Sequence, residues 1–402
     1  MENFKNFYIK DFKFNKDSKI ATFNFSFDEK INFVEKIDFN IWKEIINFDY
    51  KILNNLLINL SIAIWISYYK LYPFAKINLP IKLNQEQLNF WNKFYTNWLG
   101  EFFFKNNINP WTINFQNWNK NFKKNIWTIE NNNKALLLWW WWKDSIVWYS
   151  LIKDKYDYDL FVVWKIDKIK QDTANIVWKQ PLLVKRYLSE NIFELNKTYY
   201  NGHIPITWII SFISLITAYL YWYNYIFTSN EKSASEENTI WKWYKINHQY
   251  SKSLEFEKDF KKYNSEFINW IEYKSLLSSM FEIDIVKKFI KLEQFFPYFS
   301  SCNRNFKINW EKQHKRWCCN CEKCAFVYLI LSAYLEQEKV INIFQEDLFE
   351  NKNLLETYKW LIWNKTKPFE CVGTYNESKQ ALSIILKKYK WKKLPFILQN
   401  LI

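Results

Sequence analysis

The chain has 402 residues, with 56 Lys and Arg against 41 Asp and Glu and a formal net charge of +15. Its 49% apolar content is enough for a large core spread over two to three domains, and it excludes a disordered chain. The lysines are scattered and only three arginines occur (Arg186, Arg304 and Arg316), so the charge does not favour a nucleic-acid partner.

Met1 to Asp17 is charged throughout and lacks the apolar run of a secretion leader, so a cytoplasmic protein is expected. Residues 1–130 read as an N-terminal α+β region with a helical stretch from Tyr50 to Tyr72. Asparagine-rich connectors near Asn106 to Asn109 and Asn131 to Asn133 close it. Residues 131–300 carry apolar runs at Ala135 to Leu138, Leu160 to Val163, Leu182 to Val184 and Tyr225 to Thr228, separated by helix-length segments. That alternation predicts an α/β fold with a doubly wound parallel sheet.

Ile204 to Phe227 is free of charge over 24 residues, long enough to span a bilayer. Its Thr207, Ser211, Ser214, Thr217 and Asn224 suit a buried helix from about Thr207 to Leu220, a turn and a strand from Tyr225 to Thr228. No membrane insertion is expected.

The first strand of the parallel set runs into Trp139 to Trp142, then Lys143, Asp144 and Ser145. Only 3 glycines stand beside 24 tryptophans, whereas average usage puts glycine near 7%, or about 28 residues in such a chain. Tryptophan also sits where turns call for glycine, at Trp164 after a strand and at Trp222 after a helix. The expectation is a gene that reads UGA as glycine, printed with tryptophan at those codons. Read with glycine, the segment is LLLGGGGKDS: a strand, a turn of bare backbone, and a helix entered through Asp-Ser. Such a turn offers unpaired N–H groups and a positive helix end to an anion. As tryptophan, the four residues read as an aromatic plug with no phosphate role.

The segment lacks Walker spacing and resembles the PP-loop, [SAG]-G-G-x-D-S, of the ATP pyrophosphatase superfamily. That resemblance implies an adenine nucleotide alpha hydrolase-like fold that binds ATP, with Trp140, Trp141, Trp142, Lys143, Asp144 and Ser145 as the cradle. It also implies Asp144 as a Mg²⁺ contact, and an adenylate with diphosphate as products.

Residues 301–402 read as a cysteine-cluster region followed by amphipathic helices. Cys318, Cys321 and Cys324 have consecutive C-x₂-C spacings, and Cys302 lies sixteen positions upstream. Four thiolates so spaced suit structural Zn²⁺, with the third ligand open between Cys318 and Cys319. An iron–sulfur cluster, redox chemistry or unligated buried thiols are the alternatives. The layout also resembles the zinc site of PP-loop enzymes that make 7-cyano-7-deazaguanine.

Further motifs are Asn201 to Thr207 with His203, Ser229 to Ala234, Asn247 to Ser253 with His248 and Lys252, and Lys367 to Thr374 with Cys371. Together with Ser67 to Lys70, Gly100 to Phe102, the loop and the cysteines, they resemble the MurL-type UDP-N-acetylmuramoyl-L-alanyl-L-glutamate epimerases. The resemblance covers most of the chain. It implies ATP-dependent inversion of the terminal L-glutamate of UDP-MurNAc-L-Ala-L-Glu through an acyl-adenylate, releasing AMP and diphosphate in peptidoglycan biosynthesis. Proton transfer is open among His203, His248, Lys252 and Cys371, beside Lys143 and Asp144 in the loop. Lys185, Arg186 and Lys232 can hold substrate phosphates or carboxylates, or be solvated surface charges. The rival readings are a PP-loop adenylating enzyme acting on tRNA or a 7-deazaguanine precursor, and a zinc-stabilised nucleic-acid-binding protein.

Overall fold

A computed structural model describes every residue except 1–2, 47, 110–112, 114, 116–131, 205, 305–315, 364–366 and 391–392. Asn131 of the second predicted connector lies outside the described residues, as does Pro205. Eleven strands are described: β1 (Asn6–Asn15), β2 (Ile20–Phe27), β3 (Ile31–Asp38), β4 (Lys76–Asn78), β5 (Lys134–Leu138), β6 (Asp157–Val163), β7 (Leu182–Tyr187), β8 (Tyr225–Phe227), β9 (Thr239–Trp241), β10 (Tyr244–Ile246) and β11 (Glu272–Lys274). Nine of them form one sheet in the order β11-β8-β5-β6-β7-β3-β2-β1-β4, and β9 and β10 form a separate hairpin.

The four predicted strands are β5, β6, β7 and β8, and these pair in parallel, with β11 parallel to β8 at the edge. Beyond β7 the sheet turns antiparallel through β3, β2 and β1, with β4 parallel to β1. The sheet is therefore mixed, and the strands of residues 1–130 extend it through the β3–β7 pairing. An apolar run buried on both faces announces a parallel strand, whereas β1 and β3 alternate polar and apolar residues and report only one buried face.

Both faces of the parallel half are covered. Leu136, Leu138, Phe161 and Val163 enter one core, beneath the helices Tyr50–Ile64 and Ile206–Tyr221. Their neighbours Ala135, Leu137, Leu160 and Val162 enter the other, with the helices Lys143–Ile152 and Glu322–Ser332. The period of two in strand side chains makes this division automatic. The uncharged segment is the helix Ile206–Tyr221 followed by β8, as its polar residues suggested, and it is buried. Tyr50–Tyr69 is long and apolar enough to cross a membrane, but 83% of its most apolar window is buried in the fold.

One buried ion pair joins the two halves of the sheet. Arg186 of β7 donates from Nε to Glu35 Oε1 of β3 at 2.6 Å, and Tyr68 Oη donates to Glu35 Oε2 at 2.8 Å. Arg186 also reaches Ser67 Oγ at 2.9 Å, which explains the Ser67 and Tyr68 motif as structural. Arg186 is thus committed inside the fold and does not reach for a substrate anion; Lys185 and Lys232 are exposed.

The backbone bears directly on the glycine reading. Trp141, Trp164, Trp178, Trp222 and Trp243 all have φ between 45° and 90°, and none of the three glycines has positive φ. A bulky residue there is an outlier. Trp178 and Trp222 are residues where helices end, with N–H groups of Lys179 and Tyr223 returning to Ala174 O and Ala218 O, the arrangement that calls for glycine. Lys242 and Trp243 form the two-residue turn of the β9–β10 hairpin, both left-handed, where Asn-Gly is preferred. Trp178 is 94% exposed and Trp243 is 98% exposed, so packing does not offset the strain. Trp142 Nε1, Trp148 Nε1, Trp208 Nε1 and Trp317 Nε1 are buried donors without a hydrogen-bond partner, each costing about 1–3 kcal/mol.

In a protein carrying tryptophan at these positions, Trp178→Gly and Trp243→Gly should each stabilise by about 1 kcal/mol, through relief of left-handed strain. Thermal unfolding checks this: the midpoint should rise by a few degrees, and a fall would show that the indoles hold the turns.

Candidate active site

β5 has β6 on one side and β8 on the other, and the chain leaves β5 towards β6, so the strand order reverses there. The crevice at the carboxyl ends of β5 and β8 is where an open α/β sheet binds its ligand. Residues 139–142 leave β5 into it, and Ser229, Asn230 and Glu231 follow β8. Ser145 holds the two turns together: its Oγ accepts from Trp140 N at 3.1 Å and lies 3.2 Å from Ser229 Oγ.

The helix Lys143–Ile152 begins at this turn, with no side chain capping its first N–H groups. Its positive end therefore faces the crevice. The indoles of Trp140, Trp141 and Trp142 crowd this turn, the Trp140 ring centre about 6 Å from each of the other two, and Lys170 lies over Trp141 at 4.1 Å. As tryptophans, these residues do not fit a nucleotide. With glycine at 140–142 the same backbone is a bare cradle of the kind phosphates require.

Lys143 and Asp144, at the start of the helix, are both buried. Lys143 Nζ turns inward to Asp144 Oδ1 at 2.5 Å and also to Glu282 Oε2. Burial opposes its charge, but the two carboxylates outweigh burial and raise its pKa. Lys323 Nζ lies 3.7 Å from the other oxygen of Glu282. Glu282 opens the helix Glu282–Phe289, and no sequence motif marked it. Glu231 sits in the same group, its pKa raised to about 7 by burial and then by Glu282 and Asp144.

Glu377 fixes this assembly to the C-terminal helices. Thr374 and Glu377 form a capping box on the helix Tyr375–Lys388, and Glu377 also accepts from Ser233 Oγ at 2.8 Å and from Ile283 N at 3.1 Å. The cap therefore sets the position of the Cys371 loop just before it. Gly373 is needed in that loop for space: a Cβ would come within 2.5 Å of Phe326 Cζ.

All four proton-transfer candidates meet here. Lys252 Nζ is 3.5 Å from Cys371 Sγ, and part-buried His248 lies near enough to the sulfur for each to shift the other's pKa. His248 Nδ1 lies 2.5 Å from Glu101 Oε2, and the His203 ring lies 4.3 Å from that of His248. Burial would discharge His248, but Cys371 and Glu101 raise its pKa to about 9. His203 is exposed as a residue, and its pKa is lowered by desolvation of the ring and then by the charge of His248. Burial opposes the Cys371 thiolate, but Lys252 and His248 outweigh it and lower the thiol to about 6. Glu101 entered the sequence reading only inside Gly100 to Phe102; here it is the carboxylate that orients His248.

Cys302, Cys318, Cys321 and Cys324 form a second cluster, with all four sulfurs within 4.8 Å of one another. Cys318 Sγ and Cys324 Sγ are 3.7 Å apart, matching the edge of about 3.8 Å that a tetrahedron of 2.3 Å zinc–sulfur bonds requires. The group can hold one metal ion. Cys319 is turned away, its sulfur 3.5 Å from Phe344 O, which leaves Cys318 as the clustered neighbour.

Comparison with known proteins adds to this geometry. The family described as MurL N-terminal domain matches residues 1–276, and that described as MurL C-terminal domain matches residues 298–401. UDP-N-acetyl-alpha-D-muramoyl-L-alanyl-L-glutamate epimerase of a Micromonospora species is 36% identical over 220 residues, covering 54% of this chain and 49% of that protein. Proteins of the same name from Xanthomonas oryzae pv. oryzae and Salinispora tropica are 36% and 34% identical, over 53% and 56% of this chain and 48% and 50% of their own lengths. The matches thus span about half the length of these curated relatives. No solved structure matches the chain.

The four-sulfur geometry leads to an expectation for metal content. The purified protein should carry about one zinc ion per chain, lost with a fall in stability in Cys321→Ser or Cys324→Ser and kept in Cys319→Ser. Elemental analysis checks this; iron, or no metal, would contradict it.

Proposed function

The chain belongs to the MurL family, and from that premise we propose that it inverts the terminal L-glutamate of UDP-MurNAc-L-Ala-L-Glu to D-glutamate in peptidoglycan biosynthesis, using ATP. The proposal includes glycine at positions 140–142, and the left-handed tryptophans with no left-handed glycine support it. The observation that carries the reading is the contact between loop and acid–base cluster. Lys143 of the loop reaches Glu282, whose other oxygen lies 3.7 Å from Lys323 Nζ, and Lys323 reaches the Cys371 carbonyl while Lys252 Nζ stands 3.5 Å from the Cys371 sulfur.

Activation and proton transfer are then adjacent, as the chemistry demands. A free carboxylate resists loss of its α-proton because its negative charge opposes a carbanion. Joined to AMP, the carboxyl withdraws electrons instead and Cα–H becomes acidic. The cradle and the helix end would hold the diphosphate while a substrate carboxylate oxygen attacks the α-phosphorus. Asp144, beside Glu282 and Glu231, would meet Mg²⁺ at the phosphates. Lys252 and Lys323 offer positive charge where the enolate oxygen develops. Water finally releases AMP.

Zinc on the four cysteines would have a structural role, holding the start of the helix Glu322–Ser332 and hence Lys323. Both substrates are cytoplasmic small molecules, so that compartment is part of the proposal. A tRNA substrate has no observation in its favour here.

The test is incubation of the glycine-bearing protein with ATP and UDP-MurNAc-L-Ala-L-Glu in D₂O. The reading requires AMP and diphosphate together with deuterium at Cα of D-glutamate. Labelling without ATP would indicate a simple racemase, and AMP formation with unlabelled L-glutamate would point to another adenylating enzyme.

A further inference from the structure

We propose that Cys371 is the residue that removes the α-proton from one face of the activated glutamate, with His248 and Glu101 as positioning residues. The inference rests on the epimerase reading above and assigns the step that the sequence leaves open among four residues.

Geometry selects the sulfur. Cys371 is only half-buried and faces Lys252, and its carbonyl is held by Lys323, which Glu282 links to Lys143 of the loop. The loop of Cys371 is fastened on both sides. Lys323 Nζ donates to the Cys371 carbonyl. Asn238 accepts from His248 N at 2.7 Å while its amide donates to Pro368 O at 2.5 Å, which ties the His248 turn to the Cys371 segment. A pre-set distance between imidazole and sulfur follows, with Glu101 behind the ring fixing its orientation.

Electrostatics agrees. Lys252 and His248 both hold their protons at neutral pH, so neither accepts one, and His203, its ring 4.3 Å from that of His248, has a lowered proton affinity. Cys371, lowered to about 6, is the thiolate of the group. In the step, Cα–H breaks and S–H forms, and the electron pair moves into the activated carboxyl as an enolate. A water-derived proton forms the new C–H bond on the opposite face, and the thiol proton returns to solvent, so one proton leaves and one enters.

The glycine-bearing protein is tested as Cys371→Ala and Cys371→Ser beside the unsubstituted chain. Diphosphate release should stay within about threefold, while inversion and deuterium uptake at Cα fall by more than about 100-fold. Inversion at near-normal rate in Cys371→Ala overturns the inference and leaves the epimerase reading intact. Absence of substrate-dependent diphosphate release in the unsubstituted chain overturns that reading and this inference with it.

Alkylation by iodoacetamide, mapped to Cys371 by peptide mass, needs no substituted cysteine. Its rate should rise with pH through a midpoint near 6, and Lys252→Met and His248→Asn should each move that midpoint upwards. A midpoint near 9 in the unsubstituted protein overturns the inference, as does a substrate acyl group found covalently on Cys371, which would make the sulfur a nucleophile.

Discussion

The crevice depends on a set of charges that are buried in alternation: Asp144, Lys143, Glu282 and Lys323 in sequence of contact, with Glu231 and Lys252 alongside. Removing ions from water costs several kcal/mol each unless opposite charges and hydrogen bonds compensate. Here each buried lysine has a carboxylate or a thiol beside it, and Glu282 serves two lysines at once. The network reaches from the first turn of the helix after β5 to the carbonyl of Cys371. It therefore fixes the spacing between the helix end after β5 and the cluster of His248, Lys252 and Cys371. Loss of one member would leave its partner buried and unpaired, so the arrangement holds as a unit.

A second constraint is steric and belongs to the backbone. Position 141 is left-handed, and positions 140–142 project side chains into the space beneath the helix end. The three glycines that are printed answer a different need, close approach. A Cβ at Gly202 would come within 2.8 Å of Phe102, and one at Gly373 within 2.5 Å of Phe326. These two sit beside His203 and Cys371, and Gly100 adjoins Glu101. Glycine thus survives where it brings the acid–base cluster together, and tryptophan occupies the turns that want positive φ.

Much of the parallel half of the sheet was readable because β5, β6, β7 and β8 are apolar on both faces, and because the turns after β5 and β8 carry short polar motifs. The antiparallel extension was not, since β1 and β3 show polar residues on every second position and the pairing of β3 with β7 is joined by Glu35 and Arg186, 151 residues apart. Residue types named His203, His248, Lys252 and Cys371, and the fold brings them into one cluster. Glu282 escaped notice because an acidic residue at a helix start is common; only its place beside Lys143 distinguishes it. Trp178 and Trp243 lie in unremarkable stretches of sequence, and only their φ angles set them with Trp141, Trp164 and Trp222. The doubled Cys318 and Cys319 differ in direction, which spacing does not encode.

The account stands on the residue identity of the loop, because the helix end, the buried charges and the thiolate can serve an activated carboxylate only if the cradle is open. The most direct measurement is peptide sequencing by mass spectrometry of the protein made in its own cells, across positions 134–153. Glycine at 140, 141 and 142 is the predicted result. Tryptophan at these three positions would contradict the account, leaving the crevice filled with indole and without room for a nucleotide.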